Sequence, residues 1–498
     1  MMAADQDRDE PQPSDMPVEE FRAAGHRLVD WIADYLAHPD RYPVLAQVKP
    51  GDIARQLPAA APQEPARFER ILEEFERVLV PGLTHWNHPS FFAYFAISAS
   101  GPGILADFLS SALNQQAMLW RTSPAATELE AVALDWLRQL LRLPENFEGV
   151  IYDTASVSSL HALAAAREVA VPDAREHGLP GCAQLGRLRV YCSEHAHSSI
   201  DKAVILLGLG HRNLRKIRAD DKFRMDPGAL AGAIREDRLA GLTPMAVVAT
   251  VGTTSTTSVD PVEAIADICE REGVWLHVDA AYAGVAAMVP GWEWVADGCG
   301  RADSFVVNPH KWLFTPFDLS AFYCRRMDAV RAAFSLVPEY LRTSDADGVR
   351  NLMDTGIQLG RRFRALKLWM ILRYFGPERL AAILEAHMRL ARRFADWVDA
   401  DPDFERMAPV PFSVVCFRAR PSGSSWSEAA LDALNAALLE AVNRTGEIFL
   451  SHTTLGGRFV LRLAIGNIRT TEAHVARAWA LLREHAARLA REMAAAVR

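Results

Sequence analysis

At 498 residues the chain can hold about three domain-sized units, and its 50% hydrophobic and 23% charged content is that of a globular protein with a large core. A formal charge of −8, spread along the sequence, argues against nucleic acid as the main partner, because phosphate binding needs a concentrated basic face. No apolar run is long enough to cross a bilayer, and the acidic start MMAADQDRDEPQPSD lacks a signal peptide's basic-then-apolar order. The six cysteines (182, 192, 269, 299, 324 and 416) form no CxxC pair, so neither disulfides nor a zinc ribbon is expected and a cytoplasmic location fits.

Residues up to about Pro13 read as disordered. Ser14 and Asp15 then offer an N-cap, with Phe21, Leu28, Trp31, Ile32 and Tyr35 on one helical face, and a second helix is predicted over 65–79. Two helices with apolar stripes and a proline-rich joint make a poor domain alone, so they are expected to pack on something else, such as a second subunit. From about Gly101 the rhythm changes. Strands are predicted over 149–153, 188–192, 245–251, 274–278, 304–307 and 319–324, alternating with helices over 157–170, 228–238 and 261–272. That alternation implies βαβ units and a mostly parallel sheet covered on both faces. Beyond about Gly376, long Ala/Leu/Arg helices surround strands predicted over 413–418 and 458–463, a smaller α+β domain. The expected division is 1–100, 101–375 and 376–498.

In such a sheet a ligand sits beyond the carboxyl ends of the strands. Four of those ends carry unusual polar groups. Thr154-Ala155-Ser156 opens a helix, and small residues there can cap it or bind a phosphate through free N–H groups. Asp279 follows an apolar strand, as a helix cap, an ion-pair partner or a functional acid. Lys311, in Asn308-Pro309-His310-Lys311-Trp312, is either a surface lysine lying along Trp312 or an amine suited to Schiff-base chemistry. Gly252 leads a hydroxyl run from Thr253 to Ser258, which alone is only a polar loop. Together these four form the set a pyridoxal site requires. The His195/His197 pair has no further metal ligands at suitable spacing, and Gly208-Leu209-Gly210 lacks the third glycine and preceding strand of a nucleotide fingerprint.

The segment Asp303–Trp312 (DSFVVNPHKW) resembles the lysine signature of the group II pyridoxal-dependent decarboxylases. HVDAAYAG (277–284), EHAHSSIDK (194–202), Gly252–Thr254, SPAATELE (123–130) and GRRFRALK (360–367) resemble those of the aromatic-L-amino-acid decarboxylase branch, in the same order from about Glu19 to about Leu482. The resemblance implies an aspartate-aminotransferase-like, fold type I α/β protein using pyridoxal 5'-phosphate and working as a homodimer with shared sites. By the same resemblance Lys311 carries the cofactor, Asp279 pairs with its ring nitrogen, and His197 lies on the ring and orients substrate. Ala155, Ser156, Asn308 and His310 surround the phosphate, Thr254 and Ala281 line the cofactor, and Arg462 lies near the site. Pro338-Glu339-Tyr340-Leu341 matches the loop whose tyrosine donates a proton, with 342–351 reading as a lid. Relatives with Phe at that tyrosine make aldehydes oxidatively, so Tyr340 and His197 favour simple decarboxylation, with aromatic acetaldehyde synthesis as the alternative.

Trp86, Tyr94 and Phe95 match aromatic walls of the family's substrate pocket, and all three also suit a protein core. Ala96-Ile97 replaces the Pro-Thr pair of dopa-type members, and Ile97 cannot bond a ring hydroxyl. Gly360 stands where relatives use glycine for indoles and serine for phenols, while Gln116 and Met118 replace apolar or aromatic residues contributed by the neighbouring subunit. Tryptophan, phenylalanine, tyrosine and dopa are the expected candidates. A non-catalytic scaffold and a metal hydrolase are the rival classes, and the first predicts a colourless protein.

Overall fold

The computed structural model describes residues 15–172, 174–336, 349–422 and 426–496, the side chains of 179–181 and 496 excepted. The start expected to be disordered, Ser14, Pro338–Leu341 and the 342–348 part of the expected lid lie outside these residues. The chain divides into two compact units, Met1–His85 and Trp86–Arg498.

In the first unit a helix spans Val18–Ala37, and a second, Phe68–Glu74, runs on into a wider turn over Phe75–Leu79. The first helix begins after Pro17 without a side-chain cap, whereas Asp15 accepts the N–H of its neighbour Met16. Trp31 stacks on Tyr35 and meets Phe75 edge-on, which joins the two helices. Val18, Phe21, Val29 and Ile71 stay exposed, so the predicted stripe is only partly covered in the single chain.

The second unit is built on a seven-stranded sheet: β1 (Glu148–Tyr152), β2 (Leu188–Ser193), β3 (Leu214–Ile217), β4 (Thr243–Thr250), β5 (Trp275–Asp279), β6 (Ser304–Val307) and β7 (Ser320–Cys324). Its order is β1-β7-β6-β5-β4-β2-β3, with β7 antiparallel to both neighbours and the other pairings parallel. The central strands are buried on both faces, which is why they read as continuous apolar runs. Four further strands, β8 (Phe404–Arg406), β9 (Val414–Ala419), β10 (Ser451–Leu455) and β11 (Arg458–Ala464), form an antiparallel sheet in the order β10-β11-β9-β8. Helix Ala365–Ala400 carries the chain between the sheets and bends at Gly376, whose φ of 67° lies outside helical space. No described helix is long and apolar enough to cross a membrane.

Three strands, β3, β8 and β10, have no counterpart in the sequence reading. Each lies at a sheet edge, where one side is unpaired and polar residues such as Arg215, Lys216, His452 and Thr454 are tolerated.

One buried ion pair ties the sheet to its surroundings. Arg361 and Glu130, with side chains 6% and 2% exposed, meet at 2.8 Å. Arg361 also donates to the carbonyl of Ile151 at 2.6 Å, while Glu130 accepts the N–H of the same residue at 2.9 Å. Arg361→Ala would leave Glu130 charged and unpaired, a loss of about 3–5 kcal/mol, read as a lower urea midpoint. A midpoint within error of wild type would show that the pair is dispensable.

Four of the buried histidines are held neutral near pH 7. Burial lowers His161, His277 and His387 to about 4 and His310 to about 3, from 6.5. The unfolded chain takes up these protons near pH 6.5 and the folded chain not until about pH 4. Their contribution is therefore fully present above pH 6.5 and lost as pH falls towards 4. Urea denaturation at pH 7.5 and pH 5 should show clear weakening at the lower pH, and equal stabilities would refute this assignment.

Candidate active site

The carboxyl ends of β1, β5 and β6 converge. After β1, helix Ala155–Ala170 starts without a side-chain cap, and its first intrahelical donors are Val157 and Ser158, both bonding Thr154 O. The N–H groups of Ala155 and Ser156 donate to no described residue, leaving two oriented donors at the positive end of a helix. Ala155 packs on Ala281 and Val306, which brings these donors to the ends of β5 and β6.

Asp279 is the last residue of β5 and is buried, with Oδ1 accepting the N–H of Ala281 at 3.1 Å. Lys311 lies on the short helix Pro309–Trp312 that follows β6. The protein packed around its ammonium lowers the lysine pKa, and the negative charge of Asp279 opposes that shift. His197 completes the cluster from the loop after β2. Its ring is exposed in the single chain, yet lost solvation lowers its pKa, with Asp279 acting against the shift and Lys311 reinforcing it. Nδ1 of His197 accepts the backbone N–H of Ser199 at 3.2 Å and pairs with the Ser199 hydroxyl at 2.9 Å. Because a backbone N–H can only donate, the neutral ring carries its proton on Nε2.

Asn308 donates its N–H to Ala281 O at 3.0 Å, while its buried Oδ1 has no partner among the described residues. His310 accepts the Leu319 N–H at Nδ1, 2.9 Å away, and so presents Nε2–H when neutral. The hydroxyl run largely satisfies itself, through Thr253–Thr256 at 3.1 Å and Thr256–Ser258 at 2.7 Å, and only Thr254 is exposed. Gly252 begins the loop with φ of 91°, and a Cβ there would fall 2.6 Å from the Ala283 Cβ.

Arg462, on β11, reaches this loop from the small sheet. It donates to Ser255 O at 2.8 Å, Thr254 O at 2.7 Å and Ser451 Oγ at 2.9 Å. It is buried without a carboxylate partner among the described residues, and burial lowers its pKa. Its geometry is that of a strut between the sheets.

The substrate-wall residues separate into groups. Trp86 and Tyr94 form an aromatic cluster with Phe91 and Phe449, and Tyr94 stays exposed. Phe95 is buried against Tyr282, with ring centroids 3.8 Å apart, and its centroid is 5.2 Å from Lys311 Nζ. Ile97 is half-buried nearby in the chain. Gly360 and Gln116 meet each other instead: a Cβ at 360 would lie 3.2 Å from the Gln116 amide nitrogen, and Gln116 Oε1 is held by the Arg361 N–H at 2.6 Å. Sequence reasoning missed Ser199, Tyr282 and Ser451. Two of these lie inside quoted motifs, but a residue that acts by holding another leaves no chemical signature of its own.

These groups fit pyridoxal phosphate. Two free helix N–H donors and an orphaned amide oxygen suit a phosphate environment, a buried carboxylate suits a protonated ring nitrogen, and an amine with lowered pKa suits imine formation.

Comparisons with known proteins agree. Residues 50–420 match the model of the pyridoxal-dependent decarboxylase conserved domain. A phenylacetaldehyde synthase of Arabidopsis thaliana is 42% identical over 95% of this chain and 97% of its own length. Tyrosine decarboxylase 4 of Petroselinum crispum is 41% identical over 94% and 93%. The crystal structure of Oryza sativa TDC with PLP and tryptamine superimposes with a TM-score of 0.92 at 39% identity, covering 96% of this chain and 99% of that one. With that coverage, and with a sheet whose strand ends carry the lysine and acid together, the chain belongs to the pyridoxal-dependent decarboxylase family, with its fold type I architecture and its pyridoxal phosphate cofactor.

Proposed function

We propose that this enzyme removes the carboxyl group of an aromatic L-amino acid, giving the arylalkylamine and carbon dioxide. The observation that carries the reading is the cluster of Lys311, Asp279 and His197 beside aromatic side chains. Tryptophan and phenylalanine are favoured over dopa, since Ile97 offers no hydrogen bond to a catechol.

Lys311 would carry the cofactor, the N–H groups of Ala155 and Ser156 with Asn308 and His310 would receive its phosphate end, and Thr254 and Ala281 would line it. When bound, pyridoxal phosphate supplies the sink for the electron pair left by the departing carboxylate. Asp279 would keep a proton on the cofactor's ring nitrogen through its negative charge. His197 presents Nε2–H towards the substrate, its other nitrogen being engaged by Ser199. Tyr340 would return a proton to the α-carbon, a role that rests on the PEYL sequence alone because that residue lies outside the described ones.

Each site is completed by a second copy. The support is an apolar face left uncovered on helix Gly101–Leu113, where Leu105, Phe108, Leu109 and Leu113 recur at helical spacing, together with the exposed residues of the first unit. In that arrangement 1–100 clamps the partner, 101–375 carries the cofactor and 376–498 is the small domain. Light scattering should give twice the 55.1 kDa chain mass, and a monodisperse monomer would sink the shared-site reading.

The direct test incubates pure protein with tryptophan, phenylalanine, tyrosine and dopa. Amine and carbon dioxide are expected, and Lys311→Ala should abolish both along with the borohydride-reducible adduct. Asp279→Asn should lower kcat about 10- to 100-fold, the loss of one charge-assisted bond. Aldehyde, peroxide and ammonia as main products would instead support the oxidative reading that the plant aldehyde synthase represents. Tyr340→Phe should move the product ratio towards aldehyde, and an unchanged ratio would remove Tyr340 from the proton step.

A further inference from the structure

Phe95 has a relation to Lys311 that a substrate wall does not need. Its ring is 8% exposed and lies nearly parallel to Tyr282, at 3.8 Å and 14°. Tyr282 in turn stacks on Trp312 at 4.7 Å and 7°. The far members of this pile are anchored by polar bonds, Tyr282 through its hydroxyl to Ser413 and Trp312 through its indole N–H to His387 at 3.0 Å. The backbone before Phe95 is pinned as well: Phe92 exchanges bonds with Phe449 and Ala464, both at 2.9 Å, and Tyr94 N–H reaches Ser451 Oγ at 3.2 Å. Phe95 is therefore a ring of fixed orientation. Lys311 Nζ lies 5.2 Å from its centroid, inside the roughly 6 Å reach of a cation–π contact.

We propose that Phe95 is a positioning residue for Lys311, its locked ring seating the ε-ammonium and setting where the amine waits to meet an aldehyde. A ring suits this task better than a second carboxylate. It attracts the ammonium by its quadrupole, yet it offers no lone pair strong enough to keep the proton from leaving. Among the described residues, the other charged or titratable groups facing Lys311 are Asp279 from β5, His197 from the loop after β2 and His310 on its own helix. Arg462 shares the same ring, with its guanidinium carbon 5.6 Å from the centroid. The proposal rests on Lys311 being the cofactor lysine, which the experiment checks separately.

Loading of pyridoxal phosphate joins the neutral amine to the aldehyde carbon and releases water, so below the lysine pKa its rate follows the fraction of unprotonated amine. Apoenzyme is mixed with pyridoxal phosphate across a pH series, and Schiff-base absorbance is followed for wild type, Phe95→Leu, Phe95→Tyr and protein carrying ring-fluorinated phenylalanine at position 95. Losing the ring should move the midpoint of the rate profile down by about one pH unit, equivalent to roughly tenfold faster loading well below the midpoint. Fluorination drains the ring face at constant shape and should move the midpoint the same way, while Phe95→Tyr keeps it near wild type. A midpoint unmoved by both Phe95→Leu and fluorination, with the borohydride-trapped adduct still mapping to Lys311, overturns the role of Phe95 alone. An adduct on some other lysine in wild type overturns the cofactor-lysine assignment, and the proposal with it.

Discussion

The site depends on keeping an amine and a carboxylate close together where solvation is poor. Lys311 and Asp279 stand at the ends of neighbouring parallel strands, and lost solvation favours the neutral lysine while the aspartate favours the charged one. A lysine in water keeps its proton at neutral pH, and one buried without a counter-charge gives it up readily. Parallel pairing of β5 with β6 supplies the intermediate case, because both strands deliver their final residues to the same edge.

Around that pair the protein uses indirect restraint. Arg462 holds two carbonyls of the hydroxyl loop and a hydroxyl of the small sheet, so the loop and the second sheet cannot separate without leaving a buried guanidinium unbonded. The stack of Phe95, Tyr282 and Trp312 works alongside it, as flat surfaces fixed at their edges by Ser413 and His387. Both devices run from the large sheet to the small one, so the small sheet takes part in positioning the site.

Much of this was legible in the sequence for a physical reason. The central strands are buried on both faces and read as apolar runs, and the polar residues at the ends of those runs, Asp279 and Asn308, both bond Ala281, with Asp279 near enough to act on Lys311. The edge strands β3, β8 and β10 were not legible, since an unpaired side relaxes the demand for apolar residues. Nor was the role of Phe95: an aromatic residue in a motif reads equally as wall or core, and only the distance to Lys311 separates those from a seat for a cation. Ser199 was hidden for a related reason, because its backbone N–H sets the tautomer of His197 and every residue but proline has one.

Two family-like segments acquire a different meaning from the fold. SPAATELE and GRRFRALK look like chemistry when met as motifs, yet they carry Glu130 and Arg361, which bury a salt bridge against β1. Arg361 fixes Gln116 through its own N–H, and Gln116 faces the open position at Gly360. A side chain at 360 would press on an amide that cannot swing freely, because its oxygen is already bonded. The room for a substituent at 360 is thus set by the Gln116 amide, held by the backbone N–H of the residue whose side chain makes the buried ion pair.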